Sequence, residues 1–218
     1  MREPTENQTV TETVVGVPPE TAPDSISPDR AHEVAARIEQ FLDALMTIAR
    51  EGDPGRGVSL LLVEVSEVLL AGAGLAVRED FTPASEFEPD DGPDPDLDTM
   101  REQLATMLGG ADVYGEVFDP YLPEDLVPSR LSDDLTSVAT ALAHGLRHYR
   151  GGRVREALWW WQYSYVASWG AEASAALRAL QSIITHDRLD ADTESLEIEA
   201  EQLAAADEML TESSPPAP

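Results

Sequence analysis

Apolar residues recur along this chain at spacings of three and four, which is the signature of helices that bury one face. Val34, Ile38, Phe41, Leu42, Leu45 and Ile48 form the first such stripe, with Asp29 or Ser27 suited to cap it and Gly52 suited to end it. Asp53-Pro54 then supplies a cap followed by a first-turn proline, and Val58, Leu61, Leu62, Val65, Val68 and Leu69 continue as a second helix. So short a connection predicts an antiparallel helical hairpin. A short helix from Met100 to Leu108 is stopped by Gly109-Gly110, and the stretch from Val113 to Tyr121 reads as a turn and loop that docks through its aromatic rings. Ser132, followed by Asp133 and Asp134 at the positive end of the helix dipole, predicts a helix start; Leu135, Val138, Ala139, Leu142, Leu146 and Tyr149 give it a buried face up to Gly151-Gly152. No segment shows the alternation of a half-buried strand.

The helix predicted from about Val154 to Ser168 departs from this one-sided pattern. Trp159, Trp160, Trp161, Tyr163, Tyr165 and Val166 are nearly consecutive and point to several sides, so other helices or a partner must surround it. A final helix from about Gly170 to Asp187 presents Ala173, Leu177, Leu180 and Ile184, with Ala171, Ala175, Ala176 and Ala179 permitting close approach. The expected class is all-α, a bundle of about five to seven helices with the Trp-rich helix central.

Charge changes the picture at the ends. The 218 residues carry 14 Lys or Arg and 42 Asp or Glu, a net charge of −28. Residues 1–29 hold six acids against Arg2, residues 82–100 hold seven and no base, and residues 190–218 hold nine and no base. Ordering entropy outweighs what such segments can bury, so 1–29 is expected to be a disordered tail, 82–100 an extended acidic loop within a single domain spanning 30–189, and 190–218 a tail or frayed helix. In that last segment Leu196, Leu203 and Leu210 recur every seven residues. Cysteine is absent, which excludes disulfides, thiolate metal sites and cysteine nucleophiles. Strong negative charge disfavours direct nucleic-acid contact and anionic membranes. No apolar run approaches the roughly 20 residues of a bilayer-spanning helix. A soluble, cytoplasmic protein is the expectation.

Three ordered stretches carry a family resemblance: Val117-Phe118-Asp119-Pro120-Tyr121, then Leu131-Ser132-Asp133-Asp134-Leu135, then Glu156-Ala157-Leu158-Trp159-Trp160-Trp161 running through Trp169-Gly170 to Leu180. Over most of residues 32–189 the chain resembles a bacterial family known as domain of unknown function 5063. The resemblance implies an all-α bacterial domain with no assigned activity. It also implies a link to DNA metabolism, because genes of the family tend to lie near a recombination-repair gene. Gln162, Ser168 and Glu172 stand where other members carry basic or His residues around the Trp-Gly pair.

Several side chains invite chemistry. His144 and His148 stand four apart on one helix, a spacing at which two imidazoles can share a metal, although the wheel places them opposite the buried leucines on a polar face. Asp29 and His32 have the Glu-x-x-His-like spacing of a dimetal bundle, but at a helix start, and no Glu in the chain is followed three residues later by His. Glu64 and Glu67 interrupt an apolar helix and mark its wet edge or a site of Arg pairing. Asp133 and Asp134 are a possible acid-base pair already explained by the helix dipole. Gly55-Arg56-Gly57 lacks the strand and lysine of a phosphate loop and reads as a helix-helix turn. Arg147, Arg150, Arg153 and Arg155 put four cations within nine residues, two of them near a helix start where the dipole opposes positive charge. An anion is therefore expected beside them: the protein's own Asp112, Asp119 or 86–98 loop, or a phosphate or acidic partner.

No reaction is named by these constellations. The leading expectation is a non-enzymatic interaction or scaffold domain that meets a protein partner or a second copy of itself, without cofactor or resident metal, through Tyr121, Trp160, Gln162, Tyr163 and Trp169. An enzyme acting on a small ligand or with a metal, through Asp119, Asp133, Asp134, His144 and His148, is the alternative. A third reading, an acidic accessory protein of recombination-repair, follows from the resemblance and the charge.

Overall fold

The computed structural model describes residues 28–78, 80–83, 92–117, 121 and 127–189. Helix α1 spans Pro28–Glu51 and α2 spans Pro54–Ala76. The bond from the Gly52 N–H to the Ile48 carbonyl closes α1, with Gly52 at φ 66°, a left-handed conformation that glycine adopts without a Cβ penalty. Asp53 caps α2 by accepting from the Arg56 N–H at 3.3 Å, with Pro54 behind it as the sequence predicts. The cap expected of α1 from Asp29 or Ser27 lies outside the described side chains.

Helix α3, Asp98–Leu108, leads through a 3₁₀ turn at Gly109–Asp112 into strand β1, Val113–Glu116. That strand pairs antiparallel with β2, Val127–Arg130, in the register Val113 with Arg130 through Glu116 with Val127. This ribbon corrects the expectation of turn and loop alone. Four residues a side are too few for alternation to stand out, and Gly115 and Pro128 mask it further; Pro128 is tolerated because a two-stranded ribbon has free edges.

Helix α4, Leu131–Arg150, starts directly from β2 and forms a hairpin with α5, Val154–Ser164. The chain then passes through a π-helical turn at Tyr165–Trp169 and continues helical over 170–189, here called α6. The two helices predicted on either side of Trp169 are thus one rod. Among the described residues there are five continuous rods, and the all-α expectation holds. The π turn has a specific cause in the Trp-Gly pair: the Gly170 N–H reaches back five residues to the Tyr165 carbonyl. A Cβ at Gly170 would stand 2.4 Å from that carbonyl oxygen, so glycine admits the wider turn.

The core runs through all five rods, from Phe41 and Leu45 on α1 through Leu61 and Val65 on α2, Leu104 on α3 and Leu135 and Leu142 on α4 to Trp161, Trp169 and Leu180. Trp161 and Trp169 are both fully buried, each contributing on the order of 4–6 kcal/mol of apolar burial before entropy is counted. Glycines set the closest approaches: Gly57 lets α2 close on Met107 of α3, and Gly72 admits the rings of Trp169 and Tyr165. The Trp-rich rod is accordingly wrapped on its inner sides by α2 and α4.

By length and composition alone α2 could cross a bilayer, with a mean hydropathy of 1.9 in its most apolar window, of which 33% is buried within the protein. This corrects the expectation that no apolar run approaches that length. Glu64 and Glu67 break the run of letters without lowering the average enough. Its inward face, with Leu61, Val65 and Val68, belongs to the core of the bundle.

Candidate functional site

The α4–α5 hairpin carries the most functionally suggestive surface, and it grows from how the tryptophans divide. Trp161 turns inward and donates from Nε1 to the Leu142 carbonyl at 3.0 Å. Trp160, half-buried, lies along α4, donates to the Ala141 carbonyl at 2.8 Å and covers the His144 ring with centroids 4.1 Å apart. Trp159 points further out and stacks on Tyr163, with centroids 5.5 Å apart and planes 11° from parallel. Tyr163 and Val166 are exposed, as is Arg155 one turn before Trp159. Arg155, Trp159, Tyr163 and Val166 therefore follow one another at helical spacing along the outer face of α5.

Two residues assigned to that surface from sequence are interior, and this is a correction. Trp169 is 1% exposed, because the π turn rotates it inward against Gly72. Gln162 is 5% exposed, and both ends of its amide are engaged: Nε2 donates to the Leu75 carbonyl at 3.0 Å and Oε1 accepts from the Phe81 N–H at 2.8 Å. It ties the end of α2 to the rod. Trp160 is only partly accessible, and Tyr121 is 91% exposed. Sequence reasoning missed Trp159 and Val166. Their signal was present in the i, i+4, i+7 spacing through Tyr163, but the order of the three tryptophans on the wheel depends on which face α4 covers.

Beyond Trp160 lies a polar end. Arg147 donates to Asp94 at 2.7 Å and to the Pro93 carbonyl, drawing the acidic segment 92–97 onto α4. The His144 Nδ1 lies 3.2 Å from Asp94 and 2.7 Å from the Arg147 guanidinium, and one ring nitrogen can serve only one of these as donor or acceptor at a time. Burial by itself would raise the Asp94 carboxyl, but the bonds and charges of His144 and Arg147 outweigh it and hold the carboxyl below its ordinary value. Arg150 pairs with Glu39 of α1 at 2.9 Å. Arg153 donates its N–H to the His148 carbonyl and lies over Gly151. Arg147, Arg150 and Arg153 thus take separate directions, and Arg155 stands exposed on α5 one turn before Trp159.

His148, expected on a polar face, is 1% exposed, because α4 is covered on more than one side. Its ring meets His144 edge to face, with centroids 5.1 Å apart. The residues of the enzyme alternative are not brought together. Asp133 and Asp134 precede His144 by ten residues or more on the same helix, a rise of about 15 Å, and Asp119 lies outside the described residues. Among the described residues no group of three His, Asp or Glu side chains is placed to hold a metal ion.

At the opposite end of α4 is a second polar cluster. Asp112 is 2% exposed and accepts from the Ser132 N–H at 2.8 Å and the Ser132 hydroxyl at 3.0 Å. It caps α4 from the 3₁₀ turn, a role expected of Ser132, which instead lies inside the helix. The Tyr114 hydroxyl donates to Asp134 at 2.7 Å. Burial first, then the neighbouring charges of Glu116, Glu172 and Asp133, push Asp134 up to about 6 despite that bond. Burial, the bond to Asp134 and the charges of Asp134, Glu116 and Glu172 raise the Tyr114 phenol. Asp133 faces Arg101 at 3.5 Å. On α2, Glu67 pairs with Arg37 of α1, and Gln40 donates to both Glu64 and Glu67. Gly55-Arg56-Gly57, read from sequence as a helix-helix turn, lies within the first turn of α2 itself, and the connection is confined to Gly52 and Asp53.

These features define an all-α bundle with an aromatic helix face beside the charged end of the α4–α5 hairpin. The chain belongs to the family described as Domain of unknown function (DUF5063), which matches residues 25–186. It is also similar in fold to a crystal structure of protein BF1032 from Bacteroides fragilis, with a TM-score of 0.58 at 16% identity, covering 72% of this chain and 92% of that one. No curated protein matches the chain.

Proposed function

We propose that this protein is a protein-interaction domain whose docking surface is the outer face of α5. One observation carries the reading: Trp159 and Tyr163 are stacked face to face on the outer side of α5, between exposed Arg155 and Val166. Trp, Tyr and Arg are the residues that most often anchor protein interfaces, and the two rings bury a large area with few rotamers to fix. The stacked pair is already ordered, so little entropy remains to be lost on binding. A core function for these rings is served by Trp161 and Trp169 instead. The charge of −28 favours a partner with a basic rim around an apolar centre.

The test compares the full chain with Tyr163→Glu/Val166→Glu. Both positions are exposed, so the double variant is expected to keep the unfolding midpoint of the parent. A partner identified by co-purification should be lost from the variant and retained by the parent at 0.5 M salt. Equal recovery of that partner by both proteins would overturn the reading. Concentration-dependent dimerisation that disappears in the variant would identify the partner as a second copy.

A further inference from the structure

A second apolar face lies on α2, away from the aromatic surface. Val63, Leu70 and Val77 are 51%, 76% and 84% exposed, the last of them at the C-cap of the helix. Ser59, Ser66 and Ala73 alternate with them at steps of four and three, so small and large side chains take turns along one line. That line runs opposite to Leu61, Val65 and Val68, which face the core.

Nothing on the line resists burial. The Ser59 hydroxyl donates to the Gly55 carbonyl at 3.4 Å and the Ser66 hydroxyl to the Leu62 carbonyl at 2.7 Å, so covering them strands no donor. No charged residue stands on it. Glu64 and Glu67 turn toward Arg37 and Gln40 of α1, and Arg30 lies to one side, beside Gly74.

Charge and shape together select the occupant. The chain carries −28, so a basic partner finds nothing to pair with on this uncharged face, and anionic lipid is repelled by its surroundings. A second copy meets no like charge along the line. The alternation of small and large is also its own complement once the helix is turned end for end. With Leu70 opposite Ser66 of the copy, Val63 comes opposite Ala73 and Val77 opposite Ser59, so each large side chain enters the gap over a small one on both chains at once. A parallel pair would instead set Leu70 against Leu70 and leave gaps between the serines. The antiparallel order opposes the two helix dipoles as well, and beyond the capping Asp53 α2 has no acid in its first turn and no base in its last to satisfy those ends.

We propose that α2 is the contact of an antiparallel two-fold homodimer, in which Val63, Leu70 and Val77 of each chain pack over Ala73, Ser66 and Ser59 of the other. A single helix pair lies at the lower limit of specific interfaces, about 1,000–1,200 Å² in total, so the dimer forms in the micromolar range.

Sedimentation velocity of the full chain across that range, at about 0.15 M salt where exposed like charges are screened beyond about 8 Å, should show a monomer–dimer equilibrium. Leu70→Lys, at a position exposed in the single chain, should keep the unfolding midpoint of the dilute parent and raise the Kd at least about tenfold. Tyr163→Glu/Val166→Glu, on α5, should dimerise as the parent does. A parent that stays monomeric overturns the proposal, as does a dimer that survives Leu70→Lys or is lost only in the α5 variant. Because the chain has no cysteine, single substitutions read the register directly. Ser59→Cys and Val77→Cys chains, mixed and oxidised, should give the mixed disulfide dimer, whereas Val77→Cys alone, whose two copies stand about 27 Å apart in this order, should not. Disulfide dimers of Val77→Cys alone, formed as readily as the mixed ones, overturn the antiparallel order. Binding of a monomeric parent to phosphatidylcholine vesicles, abolished by Leu70→Lys, would overturn the proposal by assigning the face to a bilayer.

Discussion

The indole of Trp161 lies directly on the backbone of Gly145. A Cβ at Gly145 would stand 2.2 Å from the indole Nε1 and 2.5 Å from Cδ1, while that same Nε1 donates to the Leu142 carbonyl three residues earlier. The glycine lets α5 approach α4 closely enough for one ring to fill the gap and make its polar bond. With Trp161 turned inward in this way, the adjacent Trp160 and Trp159 are carried round toward the rim, so one glycine on α4 indirectly decides which rings the surface presents.

Gly145→Ala should therefore destabilise the fold, although alanine favours helix over glycine by about 1 kcal/mol. The ring is fully buried and cannot move aside without losing its bond, and overpacking of this kind costs about 1–3 kcal/mol. Urea unfolding followed by tryptophan fluorescence should show a lower midpoint with an unchanged slope. A higher midpoint would show that the contact is looser than the geometry indicates.

Gln162→Ala should cost about 2–4 kcal/mol, because it leaves the Leu75 carbonyl and the Phe81 N–H without the partners that now satisfy them. Gln162→Glu is the sharper variant. It retains an acceptor for Phe81 but sets a carboxylate oxygen against the Leu75 carbonyl, so its deficit should be larger at pH 7 than at pH 4. Differential scanning calorimetry at the two pH values measures both.

Asp112→Ala should destabilise by about 2–4 kcal/mol, removing the acceptor of two buried Ser132 donors at the start of α4. Asp112→Asn/Ser132→Ala removes one of those donors and should recover part of the loss. Thermal unfolding of the three chains tests whether the cap acts as a unit.

The pH dependence of stability should carry the signature of Asp134. Its carboxyl is raised to about 6 in the folded chain from an ordinary value of 3.8, so between these values the folded state binds the extra proton. Stability from this group is therefore gained as pH falls from 6 to 4 and lost as pH rises through 6. Asp134→Asn should stabilise the protein at pH 7 by on the order of 1 kcal/mol after allowance for partial solvent screening, and should flatten the dependence between pH 4 and 6. A variant with an unchanged slope would place the like-charge strain elsewhere, at Glu116 or Glu172.

The sequence alone determined that the chain is a helical bundle, where most helices begin and end, and which leucines and valines face inward, because three-and-four spacing, caps and glycines act over a single turn. The family, too, was legible in three ordered motifs. What only the tertiary structure decided is which aromatic ring is buried. Trp159, Trp160 and Trp161 are equivalent as neighbours in sequence; Gly145, Ala141 and Leu142 on another helix separate them into outer stack, half-covered ring and core. The seat of Trp169 against Gly72, the amide of Gln162 spent on α2, and Asp112 acting as the cap of α4 are likewise settled by contacts between residues 20 or more apart. Local pattern fixes a helix and its apolar side, but a side chain in a crowded run finds its surroundings only when the other rods arrive.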